Sequence, residues 1–123
     1  MNKFILIGLG GFFGAILRYI ISGIFTKYNF PLGTLAVNLI GSFILGFFMY
    51  SSLFLPIPSE YRFFIAVGFC GSLTTFSTFS YETFTLIEEN EILLAIINIF
   101  INVVGCLFMI FLGRLLALYI VRV

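Results

Sequence analysis

The sequence predicts an all-α integral membrane protein of four transmembrane helices, and three observations carry that prediction. Of 123 residues, 62% are hydrophobic and only 9% charged, whereas a soluble domain needs roughly a quarter of its residues charged. Charges and prolines cluster, and the clusters divide the chain into four apolar runs, each of at least ~20 residues. A helix of that length crosses a hydrocarbon core of ~30 Å at 1.5 Å per residue. All three prolines, Pro31, Pro56 and Pro58, lie between the runs, where they interrupt no helix. Strict alternation of apolar and polar residues is absent, which excludes a transmembrane β-barrel. With no low-complexity tract and no clear internal repeat, residues 1–123 read as a single four-helix transmembrane domain.

The first predicted span covers about 4–25. Lys3 precedes its apolar run, as in a signal peptide, but no Ala-x-Ala-like site follows and the apolar pattern resumes after Arg18, so an uncleaved span is expected. Lys27, Asn29 and Pro31 mark a turn into the second span, about 32–55. Pro56, Pro58, Glu60 and Arg62 lead to the third, about 63–87. Glu88, Glu89, Asn90 and Glu91 separate it from the fourth, about 92–121. Four spans put both termini on one side, with Lys3, Arg62, Arg114 and Arg122 there and Arg18 and Lys27 nearer the other. The positive-inside rule favours cytoplasmic termini, weakly for so few charges, and a small bias also suits a chain that inserts both ways.

Composition also excludes functions. A net charge of +1 offers no electrostatic attraction for nucleic acid. Histidine is absent, which removes the commonest metal ligand and proton shuttle. Cys70 and Cys106 lie inside apolar runs and read as buried free thiols rather than a metal site. Serines and threonines are plentiful, but without a His base or paired carboxylates no catalytic constellation forms, so no enzyme is expected.

The third span carries the strongest functional signal. Residues 68–80 read Gly-Phe-Cys-Gly-Ser-Leu-Thr-Thr-Phe-Ser-Thr-Phe-Ser, and eight of these thirteen are Gly, Ser or Thr. Such residues are poor helix formers whose hydroxyls compete for backbone hydrogen bonds. Irregular backbone at membrane depth persists only when buried in protein or lining a wet cavity, and membrane proteins use it to handle ions or substrates.

Other polar groups within the spans leave two readings open. Arg18, about two-thirds through the first span, either snorkels to the interface or attracts an anion and orders a vestibule. Asn38 is followed by Ser42 at i+4, and Asn98, Asn102 and Cys106 recur at four-residue spacing on one helical face. They read either as interhelical hydrogen-bond formers or as a polar track along a pore. Phe76 and Phe79 are either lipid-facing packing, the default among 18 phenylalanines, or rings whose positive edges line an anion path. Glu82, near the end of the third span, is its only carboxylate. It reads as an interfacial charge or a partner for a basic residue. Gly10 and Gly14 form a GxxxG pair that serves either packing within the bundle or a subunit interface.

These residues make the chain resemble the Fluc (CrcB) family of small fluoride channels over essentially its full length. Gly10-Gly11-Phe12-Phe13-Gly14-Ala15-Ile16-Leu17-Arg18-Tyr19 is similar to the family's Gly-Gly-x-x-Gly-Ala-x-x-Arg-Tyr. Gly33-Thr34-Leu35-Ala36-Val37-Asn38-Leu39-Ile40-Gly41-Ser42 is similar to its Gly-Thr-x-x-Val-Asn-x-x-Gly-Ser. Thr74-Thr75-Phe76-Ser77-Thr78-Phe79 matches the core of its third-span signature. The resemblance implies a third helix broken at mid-membrane and an antiparallel, dual-topology dimer with two fluoride pores. It implies that backbone carbonyls of Gly71 and Thr74 hold a structural sodium ion at the dimer interface. It assigns Phe76, Phe79, Asn38, Ser77 and Thr78 to the pore, and Arg18 and Glu82 to the vestibules. In the fourth span the family often places Tyr and Ser where this chain has Asn98, Asn102 and Cys106. That stripe is also expected to face the pore.

The expected function is a passive fluoride-selective channel in a prokaryotic plasma membrane, exporting fluoride as a homodimer or with a paralogue. Two rivals are a proton-coupled cation or multidrug antiporter, which needs a mid-membrane carboxylate, and a non-transporting scaffold subunit, which leaves the polar third span without a purpose.

Overall fold

Asn2 opens the first helix. Its side-chain oxygen accepts the Phe4 amide at 2.8 Å, satisfying one of the donors a helix N-terminus leaves free. In this computed structural model, which describes residues 1–123, α1 then runs Lys3–Ile24. After the turn that carries Lys27, Pro31 sits at the entry to α2, Leu32–Phe54. The third span is built from pieces: α3 (Ser59–Tyr61), a π-helix (Arg62–Cys70), α4 (Gly71–Leu73) and, after two extended residues, α5 (Phe76–Glu88). The final helix, α6, spans Ile92–Arg122. The chain is all-helical, with four spans long and apolar enough to cross a membrane, the pieces Ser59–Glu88 counting as one. At 1.5 Å per residue α6 rises about 46 Å, more than the ~30 Å core, so it tilts or projects from the bilayer.

The α5–α6 turn has a defined chemistry. Asn90 adopts φ 61°, a left-handed conformation that Asn tolerates better than most residues. The Glu91 amide donates to the Leu86 carbonyl at 2.8 Å and the Asn90 amide to Ile87 at 3.1 Å. These are the paired bonds of a Schellman motif, which satisfy the last carbonyls of α5.

Helices α2 and α6 pack along their length, and α1 packs on the π-helix. Glycines make both approaches possible. A Cβ on Gly14 would stand 2.3 Å from the Phe69 carbonyl oxygen, and one on Gly10 2.1 Å from that of Phe64. Gly113 meets the Phe43 carbonyl in the same way, at 2.5 Å. The GxxxG pair therefore serves packing within the subunit. The third span begins at Ser59, four residues before its apolar run, because the chain turns helical directly after Pro58. The π-helix, whose hydrogen bonds run i→i+5, has no counterpart in the sequence reading.

Only 21 residues are buried, while Phe4, Phe12, Leu93, Phe100 and Leu107 stand exposed. Lipid offers such side chains an apolar surrounding, so nothing drives them inward.

Candidate functional site

The third span breaks at Thr74 and Thr75. Both are extended, with φ/ψ of −82°/152° and −147°/118°. The first half closes on Cys70, whose carbonyl accepts the Thr74 amide at 3.1 Å and the Thr74 hydroxyl at 2.9 Å. The second half opens on Thr75, whose hydroxyl oxygen accepts the Thr78 amide at 3.1 Å. This is an N-cap.

The break removes the helical donors of carbonyls 71–74, and those of Gly71 and Thr74 bear on the expected ion site. In an unbroken helix the Thr75 amide would bond Gly71 and the Thr78 amide would bond Thr74. Here the Thr75 amide donates to Asn38 Oδ1 at 2.8 Å and the Thr78 amide to its cap. Gly71 and Thr74 are the two residues expected to hold sodium, and carbonyl oxygens at a helix C-terminus suit a hard cation. The opposite pole lies beside them. The first turn of α5 presents amide groups without helical partners and the positive end of its dipole, an arrangement that favours an anion.

Asn38 clamps the break with one amide group. Besides accepting from the Thr75 amide, it donates from Nδ2 to the Thr75 carbonyl at 3.3 Å and to Asn102 Oδ1 at 3.1 Å. Asn102 Nδ2 donates to the Asn98 carbonyl at 3.0 Å and to Asn98 Oδ1 at 2.9 Å. Asn98 Nδ2 donates to the Thr83 hydroxyl at 2.9 Å, and that hydroxyl donates to the Phe79 carbonyl at 2.7 Å. Both N–H bonds of Asn38 and both of Asn102 thus have protein acceptors. The Asn98 and Asn102 amides of the stripe are thus bonded within the protein: Asn102 donates along α6, α5 brings the Thr83 hydroxyl as acceptor for Asn98, and α2 brings the Asn38 amide as donor to Asn102.

Arg18 is half-buried, and its Nε donates to the Ser72 carbonyl at 3.0 Å. That bond ties its Nε to α4, next to the break. Glu82 accepts the Thr34 hydroxyl, not a basic side chain. Phe76 and Phe79 have ring centroids 5.5 Å apart at 52°. They differ in setting: Phe79 is 8% exposed and Phe76 78%.

A groove of about 340 Å³ collects most of these groups: Asn38, Gly71, Thr74, Thr75, Phe76, Phe79, Asn102 and Cys106 all line it. A neighbouring hollow of about 220 Å³ holds Arg18, Thr75 and Thr78. Glu82 and Thr34 border another groove, by the α1–α2 turn. Asn98 is buried behind the main groove, and Ser77 is exposed on the first turn of α5, its hydroxyl 3.2 Å from that of Thr75. Thr75 lines both hollows, yet the sequence reading did not single it out. Its signal was a hydroxyl residue immediately before an apolar helical start. Thr34, also missed, lies one turn before Asn38 on the same face of α2.

The sequence model for the CrcB-like protein, Camphor Resistance (CrcB) family matches residues 5–114. A protein of Methanocaldococcus jannaschii named fluoride-specific ion channel FluC is 65% identical over 123 residues, 99% of each chain. Proteins of the same name from Methanococcus aeolicus and Methanococcus maripaludis are 62% identical over 123 residues and 61% over 120. These alignments cover 99% and 97% of this chain and 100% and 98% of the relatives. Matched over most of its length by the family and nearly end to end by relatives 61–65% identical, the chain belongs to the CrcB-like family.

Proposed function

We infer that this chain forms a passive, fluoride-selective channel that lets fluoride leave a prokaryotic cell across its plasma membrane. The observation that carries this is the break in the third span, which aims the N-terminus of α5 into a groove lined by Phe76 and Phe79. The names of the relatives supply the ion.

Fluoride is small and strongly hydrated, so a pore must replace its water with donors. The hydroxyls of Ser77 and Thr78 and the first amides of α5 are suited to that. Phe76 and Phe79 present ring edges of positive potential without a competing charge, and a narrow aromatic passage excludes larger anions. Arg18 and Glu82 sit toward the approaches. No energy source is required. Hydrogen fluoride enters uncharged and ionises inside, and a negative-inside potential drives the anion out. Glu82, bonded to Thr34, is no free mid-membrane proton carrier of the kind an antiporter needs.

The functional unit is a homodimer of antiparallel subunits with two pores. Irregular backbone does not face lipid, and Gly71, Phe76, Ser77 and Ser80 all lie on the outside of this subunit. A second copy covers them. The freed carbonyls of Gly71 and Thr74 would hold a structural sodium ion where the copies meet. The ion would neutralise the negative poles of the two half-helices.

The test is efflux from liposomes carrying the purified protein, with a potassium ionophore to dissipate voltage and with fluoride and chloride compared. Fast fluoride release with little chloride release is expected. Phe76→Ile and Phe79→Ile should each slow fluoride release while the dimer still assembles. Equal release of both anions by the parent protein would remove the selectivity claim, and parental flux in both Ile variants would remove the aromatic pore wall.

A further inference from the structure

Asn98, Asn102 and Thr83 are 1%, 5% and 7% exposed. They lie on two helices, and none belongs to the break. Yet a single line of hydrogen bonds connects them to it, and every donor in that line points the same way. It starts at the Thr75 amide and passes through Asn38, Asn102 and Asn98 to the Thr83 hydroxyl and the Phe79 carbonyl. Its two ends are the N-cap of α5 and the backbone of the buried phenylalanine one turn into that helix.

We propose that Asn102, Asn98 and Thr83 form a positioning relay that holds Thr75 and Phe79 in register, rather than a set of donors that ligate the ion. This rests on the fluoride-channel reading above. The chemistry favours it in two ways. Asn102 has no free N–H to offer. In a low-dielectric interior, such a chain is cooperative, and loss of one link weakens the others. Removing the Thr83 hydroxyl takes away the acceptor of Asn98 and the donor to Phe79 in one step. Asn98 is then free to turn, and Asn102 and Asn38 can follow.

Valine is close to threonine in shape, so Thr83→Val removes the links and little else. Loss of a buried hydrogen-bond network of this kind should slow fluoride efflux about tenfold, while Thr83→Ser, which keeps the hydroxyl, should stay near the parent. A second readout is hydrogen exchange at the Thr75 amide in the detergent-solubilised protein. It should quicken in Thr83→Val, although Thr83 does not touch Thr75, and stay slow in Thr83→Ser. Parental fluoride efflux by Thr83→Val would overturn the relay. If the parent protein itself passes no fluoride, the channel reading fails instead, and the exchange measurement alone decides: unchanged exchange at Thr75 in Thr83→Val overturns the relay.

Discussion

Arg18 illustrates how one side chain can serve a backbone. The break leaves carbonyls without helical donors, and Arg18 supplies one from α1 to Ser72 at 3.0 Å. A charge-assisted bond of this kind is stronger than a neutral one, and the unpaired acceptor left by its removal is costly. Arg18→Met keeps most of the apolar stem and removes the donor. It should destabilise the protein by about 1–3 kcal/mol, read as a lower thermal midpoint by circular dichroism in detergent. Arg18→Lys keeps the charge but not the planar fork, so its midpoint should fall between the two. A Met variant that melts with the parent would show that the Ser72 bond contributes nothing.

At the scale of elements, the spans were legible because hydrophobic length and proline placement are local properties of the chain. The break was legible for the same reason, since Gly, Ser and Thr crowd residues 68–80. The π-helix was not. Nothing in Arg62–Cys70 marks i→i+5 bonding, and what distinguishes the stretch is the close approach of α1 through Gly10 and Gly14. Asn38, Asn98 and Asn102 were legible as possible interhelical hydrogen-bond formers, but their partners were not, because the links join residues 37 and 64 apart in sequence. The glycine contacts give a paired prediction. Gly14→Ala places a methyl 2.3 Å from a backbone oxygen, which no rotamer change can relieve, so overpacking should cost about 1–3 kcal/mol or more. Gly8→Ala meets nothing within 4 Å and should raise helix stability by roughly 0.5–1 kcal/mol. Thermal melts of the two variants should move in opposite directions, and a shared direction would contradict the packing of α1 on the π-helix.

At the scale of the whole molecule, one surface of the subunit carries exposed irregular backbone. Its polar break opens on the same surface as Phe76, which is 78% exposed. Gly71 lies on that surface, and a Cβ added there finds only the Ala66 oxygen, at 4.0 Å. The subunit has room for a Cβ there, and Gly71→Leu extends beyond it into whatever covers that surface. The expected outcome is unchanged helical content with loss of the cross-linked dimer on a denaturing gel and loss of fluoride efflux. A variant that still cross-links and conducts as the parent does would place the pairing surface elsewhere.

The clamp that Asn38 puts on Thr75 has a bearing on how such a protein is made. A newly inserted chain has no partner, and a bare break in hydrocarbon would unravel or attract the wrong neighbour. Here the Thr75 peptide group is satisfied from within, and no buried side-chain nitrogen or oxygen in the subunit lacks a bonding partner. The subunit therefore closes half of its own break: the Thr75 peptide group is bonded within the chain, and what is left to the surroundings is the freed carbonyls of Gly71 and Thr74.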